Sequence, residues 1–139
     1  MTALLAVNGT LMRGLELNRN LLDVGATFVR EDTTAACYRL WSIDDRHPAM
    51  LRTSGEGGRV AVEIWSIPLE GLAKVLLNEP AGLSIGKVLL SDESIVLGVL
   101  GEFFLCQGHC EITEYGSWHA YIARTNRLKN KFNESTINN

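Results

Sequence analysis

The chain has 139 residues, one domain by the ~100–200-residue norm, and 46% hydrophobic with 21% charged residues excludes a largely disordered chain. Thirteen Lys and Arg against sixteen Asp and Glu leave a net charge of −3, which is no footprint for nucleic acid or an anionic membrane. No apolar run nears the ~20 residues of a membrane helix. The N-terminus shows no signal-peptide pattern, and three cysteines, an odd number, point to reduced thiols in a cytoplasmic protein.

In chain order, Ala3–Val7 is a short apolar run that reads as a buried first strand. The segment Asn8–Gly14 (NGTLMRG) is a loop bounded by glycines. Leu15, Leu17, Leu21, Leu22 and Val24 then recur at near-helical spacing, with Gly25 where a helix C-cap belongs. Ala26–Arg30 and Thr34–Ile43 are rich in aromatic and β-branched residues and predict strands. Asp44–Ala49 is polar, carries Pro48, and predicts a loop, after which Met50–Thr53 starts another strand. Arg59–Ser66 alternates as a strand does, and Pro68 suits the first turn of a helix carried by Leu69, Leu72, Leu76 and Leu77. That helix should stop near Asn78, ahead of Pro80. Leu83–Leu90 and Ile95–Leu100 form a hairpin around Ser91–Ser94. Cys106–Cys110 is read as loop and Ser117–Ala123 as a short helix, and residues 124–139 are polar and Asn-rich, a frayed tail. The expected division is a domain over 1–123 and a polar C-terminal tail over 124–139. About seven strands and two or three helices predict an α+β fold, a mixed β-barrel with flanking helices.

Chemistry is concentrated in a few places. The NGTLMRG loop follows a buried strand and precedes a helix, so its backbone N–H groups can hold a carboxylate or a phosphate. It lacks the Lys-Ser/Thr of a Walker loop and the spacing of GxGxxG. Asn8, Gly9, Thr10, Leu11 and Met12 are the binding candidates. His47, beside Arg46, and Arg52 offer further groups for a carboxylate. Glu63, within VAVEIWSIP, and Glu102, after IVLGVLG, are acids in apolar surroundings and are the candidate proton-transfer residues. His109 lies between Cys106 and Cys110, but that spacing matches no usual zinc site and no second pair completes it, so no metal and no cofactor are expected. His119 reads as a helix-surface or packing residue. Trp41, Trp65 and Trp118 are core or cavity-wall residues.

Several stretches together resemble the gamma-glutamylcyclotransferase-like group, and within it the C-terminal domain of allophanate hydrolases, here as a stand-alone chain. They are AVNGTLMRGLELN (6–18), GATF (25–28), TAACYRLW (34–41), VEIWSIP (62–68), GLSIG (82–86), VLGVLGE (96–102) and EITEYGSWHAYIA (111–123). The resemblance implies a gamma-glutamylcyclotransferase-like barrel whose first loop holds the substrate, with Asn8 where the cyclotransferases carry Tyr. It also places Ala81 where they carry a catalytic Glu, with Glu79 two residues away. The function implied is binding of a small carboxylated or amide metabolite of urea and amide nitrogen metabolism, with handling of a carboxylated intermediate by decarboxylation. Two alternatives stand beside it: a non-catalytic binding or assembly module for a separate amidase, and a cyclotransferase releasing 5-oxoproline. Aromatic residues at 103–104 offer a homodimer contact.

Overall fold

A computed structural model describes the backbone of residues 1–137 and the side chains of residues 1–133. The chain runs β1 (Thr2–Val7), α1 (Asn18–Asp23), β2 (Thr27–Thr33), β3 (Tyr38–Ile43), β4 (His47–Arg52), β5 (Ala61–Pro68), α2 (Leu69–Asn78), β6 (Leu83–Leu89), β7 (Ile95–Gly101), α3 (Phe103–Cys106), β8 (Cys110–Glu111), a 3₁₀ turn (Thr113–Tyr115) and α4 (Trp118–Ile137). The fold is α+β. Five strands form one sheet in the order β2-β5-β1-β7-β6, and three form a second in the order β4-β3-β8.

The expected barrel does not close. The two edges of the larger sheet meet at one end, where Thr34 bridges Leu90. There Ala35 N–H donates to the Leu89 carbonyl at 3.0 Å and Ser91 N–H donates to the Thr33 carbonyl at 2.9 Å. Beyond that bridge β2 and β6 form no ladder, and the small sheet packs against the large one where β4 meets β7. The contact is close: a Cβ on Gly101 of β7 would lie 2.7 Å from Ala49 of β4.

The core follows from the strand pattern. β1 buries Leu5, Ala6 and Val7 on its two alternating faces, and its neighbour β5 contributes Ile64 and Ile67, all nearly inaccessible. Leu40, Met50 and Val60 complete it from the small sheet and its approach, while Leu21 of α1 and Val75 of α2 close it from the helices. Tyr38 is fully buried because its hydroxyl accepts the Leu89 N–H at 2.8 Å, so its polar end costs little.

Three local expectations are corrected. His47 and Pro48 belong to β4 rather than a loop, because the reversal is confined to Asp44 and Asp45, both left-handed at φ 54° and 57°. Pro48 is tolerated because β4 is an edge strand, where its missing N–H breaks no ladder. Residues 103–106 form a helical turn ahead of the expected loop. Finally, α4 runs twenty residues, on through the stretch expected to fray. Its start is fixed by Tyr121, whose hydroxyl donates to Asp45 Oδ1 at 2.6 Å across to the β3–β4 turn. No helix among the described residues is long and apolar enough to cross a membrane.

Ile64 sits at the centre of this core on the strand flanked by β1 and β2. Ile64→Ala should lower unfolding free energy by about 2–5 kcal/mol and Ile64→Val by about 0.5–1.5 kcal/mol. Leu77→Ala, at an 85% exposed position, should stay within about 0.5 kcal/mol. Urea denaturation of the three variants checks the ranking.

Candidate functional site

The loop after β1 is held by its own carbonyls. Met12 N–H donates to Gly9 O at 3.0 Å and Leu17 N–H to Thr10 O at 3.0 Å. The Asn18 side chain donates to Leu11 O at 2.8 Å. The carbonyls of Gly9, Thr10 and Leu11 are therefore occupied, while their N–H groups meet no protein acceptor among the described residues. Three successive amides left with donors to give form the kind of concavity that accepts an anion.

Asn8 roots the loop: its Nδ2 donates to the Val99 carbonyl at 2.9 Å and approaches Met50 Sδ at 3.9 Å. With the nitrogen so directed, the side-chain oxygen is the group it can offer a ligand. Gly9 is required by contact rather than by backbone angle. A Cβ there would lie 2.5 Å from Cδ of Pro48, and its φ is not left-handed.

This loop lines a small cavity of about 20 Å³, bounded also by His47, Pro48, Glu79, Leu83 and Val99. That volume suits a water molecule. His47 is buried, with Nδ1 3.0 Å from the Pro48 carbonyl. Donation from Nδ1 leaves Nε2 as an acceptor. Glu79 follows α2 as its C-cap, in extended conformation at φ −74° and ψ 153°. Burial pushes its carboxyl up from 4.5 to about 7.

On the other side of the loop lies a larger cavity of about 710 Å³, lined by Met12, Arg13, Glu31, Glu63, Ser117 and His119 among others. Here Glu63, buried on β5, braces the loop. Its Oε1 accepts the Arg13 backbone N–H at 2.9 Å and the Trp65 indole N–H at 3.2 Å, and its Oε2 accepts Arg13 Nε–H at 3.1 Å. Arg13 donates a further bond to Glu31 at 3.0 Å, and its guanidinium carbon stands 3.6 Å from the Phe28 ring centroid.

The candidate residues thus divide. Asn8, Gly9, Thr10, Leu11 and His47 share the small cavity, while Met12 and Glu63 face the larger one. Arg52 is exposed at the end of β4, and Glu102 is exposed ahead of α3, its N–H donating to Gly82 O at 2.8 Å. Glu79 joins the loop although counting from GLSIG leaves it two residues out of register. The available signal was an acid between the last helical turn and Pro80, flanked by apolar segments.

The chain matches the model of the family described as the allophanate hydrolase C-terminal domain over residues 3–123, and it belongs to that family. Its fold is gamma-glutamylcyclotransferase-like. Urea amidolyase of Lachancea kluyveri is 34% identical over 125 residues, covering 85% of this chain and 7% of that protein. The chain therefore spans a small part of the curated relatives it matches. A solved structure of a uropathogenic E. coli-specific protein is 60% identical with a TM-score of 0.88, covering 88% of this chain and 97% of that one. Kluyveromyces lactis allophanate hydrolase is 27% identical with a TM-score of 0.85, covering 90% of this chain and 22% of that one.

Two outcomes follow from the small cavity. Glu79 binds its proton more tightly in the folded chain than in the unfolded one, so stability should fall as pH rises from about 4.5 through about 7. Glu79→Gln should lack that decline and exceed wild type at pH 8 by on the order of 2–3 kcal/mol, read from denaturation at several pH values. Gly9→Ala should push the loop off Pro48 and lower stability by about 1–3 kcal/mol, whereas Gly14→Asn, at a left-handed φ of 79° with open space around it, should cost far less.

Proposed function

We propose that this chain binds a small carboxylated amide and promotes loss of its carboxylate, with the amides of Gly9, Thr10 and Leu11 holding the anionic end and Glu79 supplying the proton. The observation that carries this reading is Glu79 itself, a carboxyl held near pH 7 by burial in the same cavity as the three unoccupied loop amides. A group half protonated at neutral pH is poised for acid–base work. In an N-carboxylated amide the step is simple: the Glu79 proton goes to nitrogen, the N–C bond to the carboxylate breaks, and carbon dioxide leaves. Glu79 then regains a proton from water. Glu63 would hold the loop in place rather than move the proton, since both its oxygens already accept bonds. Membership of a family described by allophanate hydrolase supports a substrate from urea and amide nitrogen chemistry.

A binding or assembly module for a separate amidase is the second reading, and the size of the cavity favours it: about 20 Å³ must widen before any metabolite enters. Two measurements separate the readings. In the first, malonate serves as a stable dicarboxylate probe in an amide-resonance titration; shifts at Gly9, Thr10 and Leu11 are expected, and an unmoved loop ends the decarboxylation reading. In the second, an allophanate-cleaving amidase generates the N-carboxylated product beside the purified chain and carbon dioxide release is timed. Wild type should accelerate release and Glu79→Gln should lose about 10²–10⁴-fold of that acceleration. Malonate binding without acceleration leaves the module reading, and 5-oxoproline from gamma-glutamyl-alanine would mark a cyclotransferase instead.

A further inference from the structure

We infer that α4 is a docking helix whose partner is a second copy of this chain. The family match ends at residue 123, and α4 continues past it. From Asn126 to Lys131 every residue is exposed, so this stretch is a helix with little of its own domain against it. A helical segment that short is marginal in water without packing.

Its surface is two-faced. Tyr121, Thr125, Leu128 and Phe132 fall at alternating spacings of four and three, the seam by which one helix packs on another element. Leu128 and Phe132 are each more than half exposed. The seam lines a groove of about 650 Å³ that also takes in Cys110 and Tyr115, with Arg124 and Lys129 along it.

Charge selects the occupant. Residues 118–137, the whole of α4, hold four Lys and Arg against one Glu, whereas residues 1–117 hold fifteen Asp and Glu against nine Lys and Arg. Two α4 helices side by side would bring like charges together. The same helix against the acidic body of another copy gains attraction along its basic stretch, Arg124 to Lys131. The body also offers an apolar landing point beside an acid: Phe103 and Phe104 of α3 are both more than half exposed and follow Glu102. Helix on body, repeated by a two-fold axis, uses each surface once per chain and closes as a dimer.

Sedimentation velocity on the full chain across a dilution series tests this. The expected species has twice the 15.3 kDa mass of one chain and weakens as salt rises. Leu128→Asp, the pair Phe103→Ser and Phe104→Ser, and Arg127→Glu with Lys131→Glu should each raise the dimer dissociation constant, the first two by about thirtyfold or more. Circular dichroism and the thermal midpoint confirm folding of each variant, and the α3 pair keeps the test valid if Leu128→Asp melts α4. A monomeric wild type at every concentration overturns the proposal and leaves the helix to an acidic partner of different sequence. A dimer unmoved by the α3 pair, or by both α4 variants, overturns it equally.

Discussion

The carboxylate of Glu63 accepting the Arg13 backbone N–H is the contact on which the candidate site rests. It is buried on a central strand and also takes the Arg13 side chain and the Trp65 indole. A buried carboxylate is tolerated only where donors surround it, and this one receives three. The result is that the far end of the loop is fixed to β5 while Asn8 fixes the near end to β7 through Val99. Those two anchors hold the segment that carries the amides of Gly9, Thr10 and Leu11. Donors already held as a set lower the ordering cost of binding an anion, although the cavity itself must widen to admit one. The pressure of Pro48 on Gly9 adds a third restraint from the other sheet.

How much of this was readable from residues alone varies with the range of the interaction. The alternation in Val60–Ser66 and the apolar run in Ala3–Val7 are local signals, and both strands lie where the pattern puts them. The identity of the loop was equally local, set by Gly9 and its place between a strand and a helix. Closure of the barrel was not local. It depends on whether residues 34 and 90, far apart in sequence, extend their single bridge into a ladder, and no periodicity reports that. For α4, polarity weighed against helix although Arg, Lys and Leu favour it and no Gly or Pro interrupts 118–137. A charged exposed helix and a polar tail share a composition; the four-three spacing of Tyr121, Thr125, Leu128 and Phe132 is what separates them.

Glu79 shows that counting along a motif does not by itself fix where a side chain lies. Matching GLSIG to its family segment assigns the acid position to Ala81, as though the connection from α2 were an extended ruler. The chain instead leaves the helix at Glu79 in one extended step, passes Pro80, and takes a left-handed turn at Gly82. Each of those local choices changes where a side chain points, so two residues of offset need not be two residues of displacement in space. Glu63 shows the converse. Its place among apolar neighbours made it a candidate for chemistry, yet the donors that make its burial tolerable are also what occupy it.

Glu79 lines the inner cavity and is partly buried, so its charged form is less well solvated and its proton is retained to about 7. An anion seated on the loop amides would bring a like charge toward the same carboxyl and raise its proton affinity further. Uptake of the anion and uptake of a proton are therefore coupled, each favouring the other by the same free energy. Under the proposed reading, that coupling would deliver to the cavity the proton that breakdown of an N-carboxylated substrate consumes, and the loop's donors and Glu79 would act as one device, the anion held at one end and the proton stored at the other.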